Sequence, residues 1–174
     1  MMTPWQRKLA LTAHVTSSVG WAGAVACFLA LAIAGLASGD AGRVRAAYLS
    51  ADLITWYVIV PLSFASLLTG VVQSLGTPWG LFRHYWVVAK LLMTCGGTLI
   101  LLLHTQPIRY MAEVAAGSAL SGADLRDLRI QLLVDAGAAL VVLLGATTLS
   151  IYKPRGVTRY GWRKQLEHQA LLVP

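Results

Sequence analysis

Four long apolar stretches, separated by short polar and glycine-containing segments, dominate the hydrophobic pattern of this chain. They cover about residues 9–37, 52–73, 82–104 and 128–151. A helix needs roughly 20 predominantly apolar residues to cross the hydrocarbon core of a bilayer, and every stretch is long enough. We therefore predict an all-α protein in which residues 1–174 form a single domain. That domain is a four-transmembrane-helix bundle with a basic tail at residues 152–174.

Polar residues inside these stretches recur at helical spacing, which indicates that each predicted helix turns a polar face toward the bundle interior. In the first stretch, His14, Ser17, Ser18 and Trp21 share one face. The second stretch contains a proline, Pro61, which removes a backbone donor and predicts a kink. The longest predicted connection, 106–126, contains Pro107, and we expect a short interfacial helix at 108–116.

The predicted depths of the ionisable side chains divide them into two groups. Lys90 and His104 are 14 residues apart, close to four turns, so they lie on one face about 21 Å apart along the helix axis. The inner group comprises His14, Arg83, His84 and Lys90, and the outer group comprises Asp52, His104, Gln131 and Asp135. Ionisable groups inside a membrane are costly and usually face a partner or a functional cavity. The candidate ligand- or ion-binding residues are therefore His14, Asp52, Lys90, His104, Gln131 and Asp135.

Most of these residues also have a purely structural interpretation. Lys90 is shallow enough for its ammonium group to reach the membrane interface. His14 and His104 suit hydrogen bonds between helices, and Asp52 suits the N-cap of the second helix. Asp135 is the hardest to explain in this way, because its short carboxylate does not reach the interface.

Composition and charge support the membrane interpretation. The chain is 57% hydrophobic and 12% charged, whereas soluble domains average about 25% charged residues. The formal net charge of +7 arises next to the apolar stretches, so nucleic acid is not an expected partner. Eight basic residues flank the side that carries both termini and five flank the other side. The positive-inside rule therefore places both termini in the cytoplasm.

No motif in the chain predicts an enzyme. There is no catalytic triad, phosphate-binding loop or zinc motif, and Cys27 and Cys95 lie in apolar stretches without CxxC spacing. We expect a non-enzymatic bundle that binds or transports a small ligand, an ion or a proton. One alternative is a haem-binding electron-transfer protein in which His14 and His84 ligate the iron from facing helices. Another alternative is an accessory subunit of a larger membrane complex. The protein could also form a homodimer. The sequence does not identify a bound metal.

Three segments carry a resemblance to known proteins. They are Ala13-His14-Val15 through Gly20-Trp21-Ala22-Gly23, Ser66-Leu67-Leu68-Thr69-Gly70, and Thr77-Pro78-Trp79-Gly80-Leu81-Phe82-Arg83-His84-Tyr85-Trp86 through Lys90-Leu91-Leu92-Met93-Thr94. Together they resemble a family of small bacterial four-helix predicted integral membrane proteins of unknown function. The first helix also resembles that of copper-resistance-D-like membrane proteins, although the chain lacks a Met-rich or His-rich loop. The resemblance implies the architecture and a location in the bacterial inner membrane, but no reaction.

Overall fold

The computed structural model describes residues 2–76, 80–117, 123–154 and 156–170, and most of these residues are helical. The helices are α1 (Pro4–Ala37), α2 (Ala41–Ile54), α3 (Val60–Gly76), α4 (Tyr85–Ala116), α5 (Ala123–Tyr152) and α6 (Arg159–Ala170), and a π-helical turn at Thr55–Ile59 joins α2 to α3. Four stretches are long and apolar enough to cross a membrane: Pro4–Ala37, Ala41–Gly76, Tyr85–Ala116 and Leu125–Tyr152. The predicted all-α class with four such helices is confirmed.

The four long helices form a closed bundle in which each one packs against two neighbours. The first, α1, packs against the α2–α3 helix on one side and against α5 on the other, and α4 packs against the same two neighbours. The helices α1 and α4 therefore occupy opposite corners. The buried ring of Trp21 extends from α1 toward α4. A Cβ added at Gly97 of α4 would lie 3.8 Å from this ring.

The first two long helices begin earlier than their apolar stretches predict, because polar residues cap them beyond the apolar region. Thr3 caps α1 through a reciprocal capping box with Gln6. Asp40 caps α2 by accepting a hydrogen bond from the Gly42 N–H at 2.9 Å. The predicted start of the second helix at residue 52 is therefore wrong. Asp52 lies inside α2, so its predicted role as an N-cap is also wrong.

The third long helix continues past its predicted end. Pro107 lies inside α4, which runs on to Ala116, so the separate interfacial helix expected at 108–116 is not formed. The proline costs one backbone hydrogen bond, but the turns that follow it are held by packing. Their buried side chains are Ile108, Met111, Ala112 and Ala115. Residues 118–122 of the predicted connection lie outside the described part of the chain.

A widened turn in the second long helix directly precedes Pro61. Within it the Val60 N–H donates to the Thr55 carbonyl, a bond that spans five residues and makes this turn π-helical. The Ser63 hydroxyl donates to the Val60 carbonyl at 2.8 Å. A proline removes one donor from the helical ladder, and the widened turn lies directly before that position.

The two ends of the bundle differ in charge. One end consists of the start of α1, the start of α4 and the end of α5, and it carries Arg7, Lys8, Arg83 and Lys153. We call this the basic end and the opposite one the far end. The buried apolar core is concentrated toward the far end, where its largest members are Phe28, Tyr48, Ile108, Met111 and Leu132, and it reaches Trp21 at the middle of the bundle. Large apolar side chains also cover the outside of the bundle, as expected for a surface that faces lipid.

The described part of the tail packs against the start of α4. The Thr158 N–H donates to the Arg83 carbonyl at 2.9 Å, and its hydroxyl donates to the Phe82 carbonyl at 2.5 Å. Val157 and His84 form an isolated antiparallel bridge. These contacts fix the start of α6 against the start of α4. Thr77, Pro78 and Trp79, which precede α4 in the chain, lie outside the described residues.

Candidate functional site

A cavity of about 580 Å³ lies in the basic half of the bundle, between α1, α3, α4 and α5. This volume is within the range of small-molecule sites, approximately 300–1,000 Å³. Its wall combines apolar and aromatic side chains with hydroxyl groups, among them Leu11, Trp21, Trp86, Leu143, Ser18, Ser66, Ser74 and Thr94. The cavity can therefore receive a ligand that has both an apolar and a polar part.

Basic side chains from separate parts of the chain line this cavity. Arg7 comes from the start of α1, Lys90 from α4 and Lys153 from the residue that follows α5. The Lys90 Nζ lies 5.6 Å from the centroid of the Trp86 ring, a cation–π distance. The described lining residues include no aspartate or glutamate. The cavity is therefore electropositive.

His14 also lines the cavity, and α3 fixes its tautomer. Its Nδ1 lies 3.2 Å from the Ser66 carbonyl oxygen and 3.2 Å from Thr69 Oγ1. A carbonyl only accepts hydrogen bonds, and the Thr69 hydroxyl donates its proton to the Ala65 carbonyl at 2.6 Å. We therefore assign the hydrogen to Nδ1, which leaves a lone pair on Nε2 of the neutral ring. The ring lies against Gly70, where a Cβ would be 3.1 Å from His14 Cε1.

The polar face predicted for the first helix makes these contacts with α3. Besides His14, the Ser18 hydroxyl lies 2.8 Å from the Ser66 hydroxyl. Ser17 is buried and donates to the His14 carbonyl at 3.1 Å. His14 thus makes a hydrogen bond between helices and also borders the cavity. A structural role and a ligand-binding role are therefore compatible at this residue.

In the far half, the structure brings together two of the predicted outer residues. His104 Nε2 on α4 lies 3.1 Å from Asp135 Oδ2 on α5, and the two side chains are 28% and 34% exposed. The other ring nitrogen of His104, Nδ1, is 2.8 Å from the Ile100 carbonyl oxygen. A histidine–carboxylate contact therefore links α4 to α5.

The remaining outer residues do not join this pair in a single site. Gln131 is exposed. Asp52 is half-buried, and its Oδ1 has no hydrogen-bond partner among the described residues. Close to the same end, the Arg129 guanidinium lies 5.7 Å from the centroid of the Tyr48 ring. The outer group is thus divided into a histidine–aspartate pair and separate polar side chains.

The structure does not bring His84 to the cavity that His14 borders. His84 occupies the N-cap position of α4, and its ring centroid lies 6.3 Å from that of Trp86. It is not among the described lining residues of the cavity. Within the described chain, no cluster of three or more His, Cys, Asp and Glu side chains is placed to hold a metal ion. The predicted ligation of one haem by His14 and His84 together therefore finds no support in this geometry.

Two of the cavity cations have a different interpretation in the sequence. Arg7 and Lys153 flank apolar stretches, where basic residues ordinarily set membrane orientation. Only the arrangement of the helices shows that both border the same cavity as Lys90. A linear sequence contains no signal for this, because the three residues belong to segments that are far apart in the chain.

Comparison with protein-family models, curated protein sequences and solved structures finds no match to this chain. The resemblance to small bacterial four-helix membrane proteins therefore stays a prediction, as do the accessory-subunit and homodimer hypotheses.

Proposed function

We propose that this protein is a non-enzymatic membrane protein that binds a small amphipathic anion in the cavity of its basic half. The observation that carries the proposal is an electropositive cavity with largely apolar walls. Lys90 is half-buried about five residues inside α4, and the described residues that line the cavity include no acid. A cation removed from water without an opposite charge is costly. A carboxylate or phosphate bound near Lys90 and Arg7 would offset that cost. The apolar wall would hold the hydrocarbon part of the ligand.

Orientation determines which solution the cavity faces. We infer that the basic end faces the cytoplasm of a bacterial cell, with both termini on that side of the inner membrane. The excess of basic residues at this end supports the orientation through the positive-inside rule. The ligand would then enter from the cytoplasm or from the cytoplasmic leaflet.

A binding measurement with matched probes tests the proposal. The protein is placed in nanodiscs of zwitterionic phosphatidylcholine and titrated with bromodecanoate, whose bromine quenches nearby tryptophans such as Trp21 and Trp86. Unlabelled decanoate, decanol and inorganic phosphate then compete. We expect decanoate to compete strongly, and decanol and phosphate to compete weakly, because each of these two lacks one half of the amphipathic ligand.

Two lysines at the same end provide the variant and its control. Lys90→Met should weaken bromodecanoate binding at least tenfold, which corresponds to about 1.4 kcal/mol. Lys8→Met removes the same charge from an exposed position that is not among the described lining residues, so binding should be retained. Equal competition by decanol and decanoate, or equal binding by the two variants, would refute the proposal.

A second candidate function, haem binding, is favoured by the tautomer of His14. Imidazoles that ligate a metal through Nε2 usually donate their Nδ1 hydrogen to a carbonyl or carboxylate, and His14 has this arrangement with Ser66. The absorption spectrum of protein purified from haem-replete cells separates the two candidates. Haem binding requires a Soret band that is lost in His14→Ala and kept in His84→Ala, and a colourless preparation would refute it.

A further inference from the structure

The histidine–aspartate pair in the far half is a site separate from the cavity. His104 and Lys90 lie on the same helix, about 21 Å apart along its axis. The pair is therefore near the opposite membrane surface from the electropositive cavity. It lies at a contact between α4 and α5 and is only about one-third exposed.

The contacts of His104 and Asp135 indicate where the pair can hold a proton. The Ile100 carbonyl only accepts, so His104 Nδ1, 2.8 Å away, must carry a hydrogen. A neutral ring of this tautomer has a lone pair at Nε2, and an ionised aspartate presents only lone pairs. Nε2 and Oδ2 are 3.1 Å apart, an ion-pair distance without hydrogen-bond geometry. At this distance a proton on either group is favourable, whereas two sets of lone pairs repel. This holds whether that proton belongs to an imidazolium or to a carboxylic acid.

No other described group supplies that proton. Asp135 Oδ2 is shielded from solvent and has no hydrogen-bond partner among the described residues; its contact with His104 is an ion-pair distance only. The half of α1 that follows Trp21 contributes only the exposed Cys27 as a titratable side chain, and α3 contributes none.

Several other charged and titratable side chains lie toward the same end of the bundle as the pair. Arg109, a little more than one turn beyond His104, pairs with Glu113 at 3.6 Å, and both are exposed. Arg129, less than two turns before Asp135, lies over the Tyr48 ring of α2. The second helix further carries Arg43 and Arg45, which are exposed near its start, the half-buried Asp52, and the exposed Tyr57 in the π-helical turn.

We propose that His104 and Asp135 form a proton-binding site inside the membrane, which exchanges one proton with the solution at the far end of the bundle. The proton comes from water and returns to it, and only an N–H or O–H bond is made or broken. This site is independent of anion binding at the cavity, so either proposal can fail without the other.

Nuclear magnetic resonance of the full-length protein, labelled with ¹⁵N-histidine in phosphatidylcholine nanodiscs, tests the proposal. The signals of His104 are assigned by their loss in His104→Gln. Between about pH 4 and pH 9, a range that covers histidine and carboxyl titration, Nδ1 should stay protonated while Nε2 takes up one proton. In Asp135→Asn the proton affinity of Nε2 should fall at least tenfold, because the carboxylate that stabilises the imidazolium is gone. Glu113→Gln, which removes an exposed acid near the same end, should leave it within twofold.

A second measurement reads the same proton from the aspartate side. Infrared difference spectra between high and low pH should contain a carboxyl change that is lost in Asp135→Asn. In His104→Gln the carboxyl change should remain in the spectra. The proton concentration at its midpoint should differ from that of the unmodified protein by at least tenfold. The proposal is wrong if Asp135→Asn leaves the His104 titration unchanged, or if His104→Gln leaves the Asp135 titration unchanged. It is also wrong if neither group changes protonation over this range.

Discussion

At the residue scale, the absence of a side chain at Gly35 lets two helices approach closely. The Tyr48 ring of α2 lies directly on this glycine of α1, where a Cβ would be 2.7 Å from Cε2 and 2.8 Å from Cζ. Tyr48 is 2% exposed, so it has no free space to move into. The contact joins α1 and α2 in the part of the bundle with the most buried side chains.

Gly35→Ala should therefore destabilise the protein by about 1–3 kcal/mol, the usual cost of overpacking a core. Gly23→Ala is the matched control in the same helix, because nothing lies within 4 Å of its added Cβ. That control should lose no stability, since alanine also favours helix over glycine. Thermal unfolding in detergent, followed by circular dichroism, compares the two. Equal stability of both variants would contradict the packing seen at Tyr48.

Residue identity predicts part of the candidate site and misses the rest for physical reasons. The spacing of His14, Ser17 and Ser18 predicts a shared inward face, and all three face α3 in the structure. Asp52 looks like a cap because it precedes an apolar stretch, yet Asp40 begins the helix earlier. A polar pattern shows which residues avoid lipid, but it does not show which partner each of them meets.

At the element scale, α6 depends on a glycine for its contact with the start of α4. Gly161 is buried, and an added Cβ there would collide with the Arg83 carbonyl oxygen and with Val157. The same segment contains Gly156, where a Cβ would lie 3.5 Å from Tyr85 Cδ2, an ordinary van der Waals distance. The two glycines therefore differ sharply in the space around them.

We expect Gly161→Ala to release α6 from α4, whereas Gly156→Ala should keep it docked. Limited trypsin digestion in nanodiscs measures this, because Arg159 and Arg163 lie in α6. Cleavage at these arginines should become several-fold faster in Gly161→Ala, since a protease needs local opening of the chain. Equal cleavage rates in the two variants would show that the docked contact does not limit opening.

The existence of the long helices could be predicted from apolar length alone, whereas their ends could not. Apolar length reports only the part of a helix that meets lipid. The ends of α1 and α2 are set by Thr3 and Asp40, and that of α4 by buried side chains after Pro107. These effects depend on caps and tertiary packing, which act outside the apolar stretch.

At the scale of the whole molecule, orientation is the property that decides the direction of access to both sites. A cysteine variant at each end tests it after Cys27 and Cys95 are replaced by serine. Gly39→Cys lies between α1 and α2 at the far end, and Tyr160→Cys lies in α6 at the basic end; both positions are exposed. In intact cells, a membrane-impermeant maleimide should label only Gly39→Cys, and Tyr160→Cys should react after permeabilisation. The reverse labelling would overturn the positive-inside assignment.

The division of the molecule into a packed far half and a hollow basic half could not be predicted from its composition. Apolar residues occur along the full length of every long helix. What differs is how they pack. Residues such as Phe28, Tyr48 and Met111 fill the far half, whereas serines and threonines with small volumes border the cavity. Such differences arise from the joint packing of four helices, and no single segment encodes them.

The π-helical turn also sets the angular phase of the second long helix. Its buried positions Ala47, Ala51, Thr55, Ile59 and Ser63 recur at every fourth residue. In a straight α-helix each step of four residues advances about 400°, so the buried line would rotate around the helix by about 160° over the four steps. One extra residue in the widened turn takes back about 100° of that rotation. This correction lets a single helix present Tyr48 to α1 at the far end and Ser66 to His14 at the basic end, so that one residue of insertion keeps the two halves of the bundle in register.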